Sequence, residues 1–287
     1  MTRQPLVAKR AEELLGAAVV ATAPVAGGDI ATATKLRLST GQTALMKTLT
    51  QAPAGFFEAE AAGLRWLAEV NGGVPVPALL AADSECVILA WVEQTAKTPV
   101  EAAAAFGQQL ATTHAAGADG WGLADDGFIG RLPLPNRACD SWPEFYAVRR
   151  VLPYLKLARD REAITPEDAA AVEAVVGRLT RLLPDESPAR LHGDLWNGNC
   201  LWGQDGQVHV IDPAAYGGHR EVDIAMLHLF GLPHLPRVMQ AYNDATPLAD
   251  GWEDRLGIHQ LFPLLVHACM FGGGYGARAG TVAARLT

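Results

Sequence analysis

The sequence has no cation-rich run, no internal repeat, no low-complexity linker and no apolar stretch long enough to cross a bilayer. Each absence excludes something. The four cysteines, Cys86, Cys139, Cys200 and Cys269, lie far apart, with no C-x-x-C pair and no Cys/His metal spacing. Zinc ribbons and dithiol redox sites are thereby excluded, and the cysteines read as buried thiols of a reducing cytoplasm. Lys and Arg number 23 against 31 Asp and Glu, a net charge of -8, and no basic stripe emerges. Nucleic acid is therefore not expected as a partner, since phosphate backbones require clustered cations. A single nucleotide is different, because one Lys and a metal ion can hold it. The run LFPLLVHACMF (261–271) is too short to span a membrane and contains Pro263 and His267. Near the start, LLGAAVVATAPVA imitates the apolar part of a signal peptide. Glu12 and Glu13 stand between it and the preceding basic residues, however, and it leads directly into GGDI. No membrane association is expected.

What is present suits a sizeable core: 287 residues, 49% of them hydrophobic. Residues 6–16 read as a short amphipathic helix. Residues 17–50 read as strands, with turns at Gly27-Gly28 and Ser39-Thr40-Gly41. From Phe57 to Val70 the apolar residues recur with a helical period, and NGGVPVP (71–77) ends the helix. CVILAWV (86–92) is a continuous apolar run, as in a buried strand. After Val92 the character changes. An Ala-rich helix runs from Thr98 or Pro99 to about Ala116, and helical patterns dominate from there, apart from a short β insert at 189–212. The expectation is an α+β protein of two lobes: residues 1–92 with an antiparallel sheet and a helix, and residues 93–287 mainly helical.

The chemistry is expected between His192 and Pro213, in HGDLWNGNCLWGQDGQVHVIDP. Asp205-Gly206 between apolar runs signals a two-residue hairpin turn. That register pairs Trp202 with His209, Leu201 with Val210 and, further out, Asn199 with Asp212. Residues paired in this way lie about 4.5–5.5 Å apart at Cα. The Asn amide oxygen and the Asp carboxylate could then share one hard divalent ion such as Mg²⁺. Asp194 stands five residues before Asn199, in a loop that Gly193 and Gly198 allow to turn tightly. A carboxylate there can take the proton of a hydroxyl that attacks a metal-bound phosphoryl group. A catalytic Asp, an Asn five residues on and a later metal-binding Asp form the arrangement of phosphoryl-transfer enzymes.

Upstream, the supporting parts occur in the expected order. Gly27 and Gly28 lie between two strands, where backbone N–H groups can approach phosphates. Lys47 sits in the strand TALMKTL. Glu60 sits one turn into the next helix and can pair with it, with Glu58 as rival. Leu89, Trp91 and Val92 would offer backbone groups to the adenine of ATP.

LHGDLWNGN followed by VIDPAAYGGHREVDIAML resembles the fructosamine kinase family, a branch of the protein-kinase-like fold close to aminoglycoside phosphotransferases. GGDI, FFEAEAAGL, QQLATTHAAG, WPEFYAVRRVLPYL and RLGIHQLFPLLVHACMFGGGY extend the resemblance over nearly the whole chain. It implies ATP- and Mg²⁺-dependent phosphorylation of ketosamines, free or on protein lysines, at the third hydroxyl of the sugar. The product would break down by elimination and free the amine. It also implies Asp194 as base, Asn199 and Asp212 as metal ligands, and Lys47 on the phosphates. Three features depart from relatives and from protein kinases. Asp29 stands where some relatives carry a redox-active Cys, Gly193 stands where protein kinases carry Arg, and DPA replaces D-F-G. Another acceptor, such as an aminoglycoside or choline-like amine, or a nucleotide-binding module without catalysis, are the rival readings.

Other residues admit two roles each. Trp196 could stack on a sugar or wedge the loop against the core. His219, Arg220 and Glu221 could line the acceptor pocket or pair locally. Asp223 is expected to brace the catalytic loop through backbone N–H groups. His114 reads as a satisfied core histidine, and GGGY (272–275) as a helix stop near the pocket rim.

Overall fold

The computed structural model describes residues 4–26 and 30–286. The expected phosphate-loop residues Gly27 and Gly28, and Asp29 with them, lie outside the described residues. Helix α1 (Gln4–Leu15) precedes strands β1 (Val19–Val25), β2 (Thr32–Leu38) and β3 (Thr43–Thr48). Helix α2 (Phe56–Ala68) follows, then strands β4 (Leu79–Ala82) and β5 (Cys86–Ala90). The five strands form one antiparallel sheet in the order β1-β2-β3-β5-β4.

The continuous apolar run of β5 has a simple cause. Cys86 and Ile88 pack with Leu36, Met46 and Ala11 beneath α1, whereas Val87 and Leu89 pack with Phe57 and Leu64 of α2. With both faces covered, alternation is lost. In β3 the same two-residue period sends Ala44 and Met46 toward α1 and turns Lys47 toward α2.

From α3 (Val100–Ala115) onward the chain is mostly helical. A small hairpin, β6 (Gly127–Ile129) and β7 (Leu132–Leu134), is followed by α4 (Trp142–Phe145), a π-helical turn over Tyr146–Val151, and α5 (Leu152–Asp160). Helices α6 (Pro166–Val176) and α7 (Leu179–Leu182) lead to two short ribbons. Strand β8 (Ala189–Leu191) pairs with β11 (Tyr216–Gly218), and β9 (Cys200–Trp202) with β10 (Val208–Val210). Helices α8 (Glu221–Phe230), α9 (Leu235–Ala245), α10 (Trp252–Phe271) and α11 (Tyr275–Ala284) complete the body. One large core gathers Phe145, Tyr146, Tyr216 and Phe262, and a second gathers Phe106, Trp202, Val210 and Tyr242. The ribbons are rooted in them, Leu191 and Tyr216 in the first and Cys200, Trp202, Val208 and Val210 in the second.

The apolar stretch 14–26 divides between the end of α1 and strand β1. Among the described residues, no helix is long and apolar enough to cross a membrane. Cys86, Cys200 and Cys269 are buried free thiols; Cys139, expected to be buried as well, is partly exposed.

Candidate active site

The hairpin register differs from expectation by one residue. Trp202 pairs with Val208, Leu201 with His209 and Cys200 with Val210. Gly206 has φ 79°, while Asp205 is not among the residues with positive φ. A two-residue type I′ turn needs positive φ at both centres, so the loop takes a third residue and closes with Gly206 in the left-handed position. Gly203 N–H donates to Gln207 O at 2.8 Å across it. Asn199 therefore faces Ile211, whose N–H donates to Asn199 O at 3.0 Å. Asp212 lies one residue past the ladder with φ 56°. That left-handed turn directs its carboxylate to Lys47, 2.7 Å away.

Lys47 Nζ also lies 2.6 Å from Glu60 Oε1. Glu58, the rival, is exposed. Lys47 and Glu60 are both buried. Burial by itself would pull the ammonium down, but Glu60 and Asp212 outweigh it and raise it above the usual lysine value. Burial pushes Glu60 up, against the attraction of Lys47. Gly63 lets α2 approach this closely: a Cβ there would stand 3.2 Å from Pro213 and 3.3 Å from Ala215.

Asp194 stands at the edge of the same cluster. Asn199 Nδ2 donates to Asp194 O at 2.9 Å and to Asp194 Oδ2 at 3.2 Å. These bonds fix the amide so that its oxygen is the end left to bind a cation. Burial, reinforced by the charge of Asp212, raises the Asp194 carboxyl to about 7. Among the described residues, Asp194, Asp212 and Glu60 set three carboxyl groups around the ammonium of Lys47. Hard oxygen donors with surplus negative charge suit Mg²⁺, so Asn199 and Asp212 fit that ion.

His192 was not singled out by the sequence beyond its place in HGD. Its Nε2 donates to Ile211 O at 2.9 Å, and its Nδ1 accepts from Asp194 N–H at 3.2 Å. Burial pulls its pKa down. One neutral tautomer thus ties the loop of Asp194 to the strand that leads into Asp212. Beneath it, Asp223 accepts from the N–H groups of His192 and Gly193 at 2.8 and 2.9 Å and contacts His114 Nε2 at 3.2 Å. Burial alone would raise Asp223; His114 and the backbone donors hold it below the usual carboxylate range. His114 is buried and bonds Tyr242 as well.

Several expected ligand contacts lie elsewhere. His219 and Glu221 are fully buried. Arg220 is bound at 2.8 and 2.9 Å to Glu186, and Arg255 holds Glu221 at 3.1 Å. His219 and Glu221 are engaged and inaccessible, while Arg220, engaged with Glu186, stays partly exposed; all three secure the start of α8. His219, Glu221 and His259 bring ligand-type atoms within 4.8 Å of one another. They do not suit a metal. Trp142 Nε1–H donates to His259 Nε2 and Glu221 N–H donates to His219 Nδ1. The facing ring nitrogens must then carry the protons. Among the expected adenine contacts, Leu89 is flanked by Leu45 and Leu79 in neighbouring strands, and Trp91 N–H is spent on Thr43 O. Val92 alone lies past the ladder. The ring of Trp196 lies over Gly198, where a Cβ would stand 2.3 Å from it, and it meets Phe230 at 5.9 Å between ring centres. It remains partly exposed.

The fructosamine kinase family model matches residues 4–287. A Thermus thermophilus protein named "Probable ketoamine kinase" is 37% identical over 254 residues, 88% of each chain. The crystal structure of a candidate fructosamine-3-kinase from Thermobifida fusca superposes with a TM-score of 0.92 at 48% identity, over 97% of each chain. A ternary complex of streptomycin, ATP and APH(2″)-IIa is similar at TM-score 0.67 and 12% identity, over 99% of this chain and 97% of that one. That last likeness is one of fold: a two-lobed, protein-kinase-like architecture with a small antiparallel lobe and a larger helical one.

Proposed function

The chain belongs to the fructosamine kinase family, and on that premise we propose that it phosphorylates the third hydroxyl of the sugar in ketosamines. As a member of that family it is an ATP-dependent kinase. The observation that carries the finer reading is the convergence of Lys47, Glu60 and Asp212 beside Asp194 and Asn199. Lys47, held between two carboxylates, takes the α- and β-phosphates of ATP in exchange for part of that pairing. Asn199 and Asp212 would hold Mg²⁺, which when bound neutralises charge on the phosphate oxygens. Asp194 orients the acceptor hydroxyl and receives its proton. A carboxyl near 7 suits a base working at neutral pH. His192 and Asp223 hold Asp194 in place from below. The chain's own contribution is mainly positioning and charge neutralisation. The phosphorylated ketosamine then breaks down by elimination and releases the amine, so the reaction serves deglycation.

The test is ADP release with a panel of fructosamines, ribulosamines, erythrulosamines and aminoglycosides. Turnover with ketosamines is expected, and Asp194→Ala should abolish it while ATP binding persists. Wild-type turnover in Asp194→Ala, or turnover with aminoglycosides only, overturns the reading.

A further inference from the structure

A row of aromatic rings leads away from the catalytic loop. Trp196, two residues after Asp194, meets Phe230 at the end of α8, 5.9 Å between ring centres. Phe230 meets His267 of α10 at 4.8 Å, and His267 meets Phe271 at 5.6 Å and Tyr275 at 5.0 Å. His267 is anchored in the row by its Nδ1, which donates to Pro263 O at 2.7 Å. Trp196, Phe230, His267 and Tyr275 are all partly exposed, and Phe271 is 48% exposed. Three helix ends therefore turn their rings to the surface in one continuous strip, where soluble proteins rarely leave large apolar side chains grouped without a use. The turn after α10 reinforces the placement. Gly272, Gly273 and Gly274 all have positive φ, so the chain reverses within three residues and sets Tyr275 beside His267.

We infer that this strip binds the substituent on the ketosamine nitrogen and sets acceptor specificity. The inference rests on the ketosamine reading above. It follows from the chemistry of the acceptor. With the third hydroxyl at Asp194, the nitrogen lies only three bonds from the reacting carbon. Whatever the nitrogen carries must leave the site close to Trp196. A sugar covers one or two rings, so the remainder of the strip is longer than the sugar requires. Flat apolar rings suit an alkyl stem or an arene, and the stem of a glycated lysine is of that kind. The rings also tolerate the positive charge of a secondary amine over their faces. Phe230, His267, Phe271 and Tyr275 are thus specificity-determining residues, remote from the transferred phosphoryl group.

The experiment uses ketosamines of one sugar with methylamine, butylamine, hexylamine and benzylamine. In the wild type, kcat/KM should rise with chain length through KM. Full burial of a methylene gives about fourfold and an open strip about twofold per added carbon. Over the five added carbons, the hexyl-to-methyl ratio of kcat/KM should then reach about thirtyfold or more. Phe271→Ala should cut that ratio about threefold, Phe271→Ala with Tyr275→Ala should nearly level it, and Tyr275→Phe should keep it. Exposed Phe271 can be removed without threatening the fold. A level wild-type series with brisk turnover of the methyl adduct overturns the strip and leaves the ketosamine reading intact. So does a slope unchanged in the double variant. No turnover with any of the four overturns both.

Discussion

Two glycines of nearly equal backbone conformation separate strain from steric conflict. Gly193 has φ 82° and Gly206 has φ 79°. A Cβ at Gly206 would meet nothing within 4 Å, whereas one at Gly193 would stand 2.0 Å from Ala214 O. Gly206→Ala therefore costs only the left-handed penalty, about 1–2 kcal/mol. Gly193→Ala carries the same penalty and must also move backbone from backbone by more than 1 Å, about the gap to an ordinary contact. Neither side yields easily. Tyr216, just beyond Ala214, pairs with Leu191, and Gly193 N–H is bonded to buried Asp223. Loss of that charge-assisted bond adds about 1.5–3 kcal/mol, for a total of about 3–5 kcal/mol. At about 2 °C per kcal/mol for a chain of this size, Gly206→Ala should lower Tm by about 2–4 °C and Gly193→Ala by about 6–10 °C. Turnover should separate more sharply. Asp194 is the next residue, and a displacement of about 1 Å costs about 100-fold, while Gly206→Ala should stay near wild type. Equal Tm losses, or a Gly193→Ala enzyme with near-normal turnover, would refute the argument that this close approach is why HGD carries glycine where protein kinases carry arginine.

Asp194→Asn should abolish turnover yet stabilise the protein free of nucleotide, with a defined pH dependence. The folded carboxyl titrates at about 7, above its unfolded value. The wild type therefore loses stability as pH rises through that interval and the variant does not. The difference in unfolding free energy should be near zero at pH 4 and favour the variant at pH 8, by about 1–2 kcal/mol once solvent reaching the cleft is allowed for; a difference independent of pH contradicts it. Lys47→Met should lower turnover about 10²–10³-fold. Its stability loss should be smaller at pH 5 than at pH 8, because Glu60, already pushed up by burial, can take a proton there. Denaturant unfolding at the two pH values reads this directly. Arg255→Ala should cost about 3–5 kcal/mol by leaving Glu221 buried and unpaired. Adding Glu221→Gln should recover much of it in a double-mutant cycle, and strict additivity would refute the pairing.

Most of the fold was legible where one physical rule acted alone. The helical period of Phe56–Ala68 and the continuous run in β5 announced themselves, although Leu79–Ala82 was too short to be separated from the turn before it. Lys47 and Glu60 could be paired from order and spacing, yet only the structure shows Glu58 exposed and Glu60 buried. The polar triplet at 219–221 went the other way. Burial depends on what α10 brings over it, and no local pattern around Gly218 announces Arg255 or His259.

The hairpin shows a signal that was present and outweighed. Asp-Gly favours a two-residue turn, but the alternation in Val208-His209-Val210 carries its own register. Val208 and Val210 are buried and His209 is not fully so. Their partners on that face must then be the buried Cys200 and Trp202, as observed. The expected register would have set Trp202 against His209, mixing inward with outward faces. A third loop residue costs little entropy, whereas exposing Trp202 forfeits about 2–3 kcal/mol of burial, so face pattern prevails over turn type. The register that set Asn199 opposite Asp212 is therefore off by one, and Asn199 faces Ile211 instead. Asp212 leaves the strand in a left-handed turn and is drawn to Lys47, while the Asn199 amide is oriented by Asp194. Two separate constraints thus orient Asp212 and Asn199, an ion pair for one and a side-chain hydrogen bond for the other, and neither is the strand register.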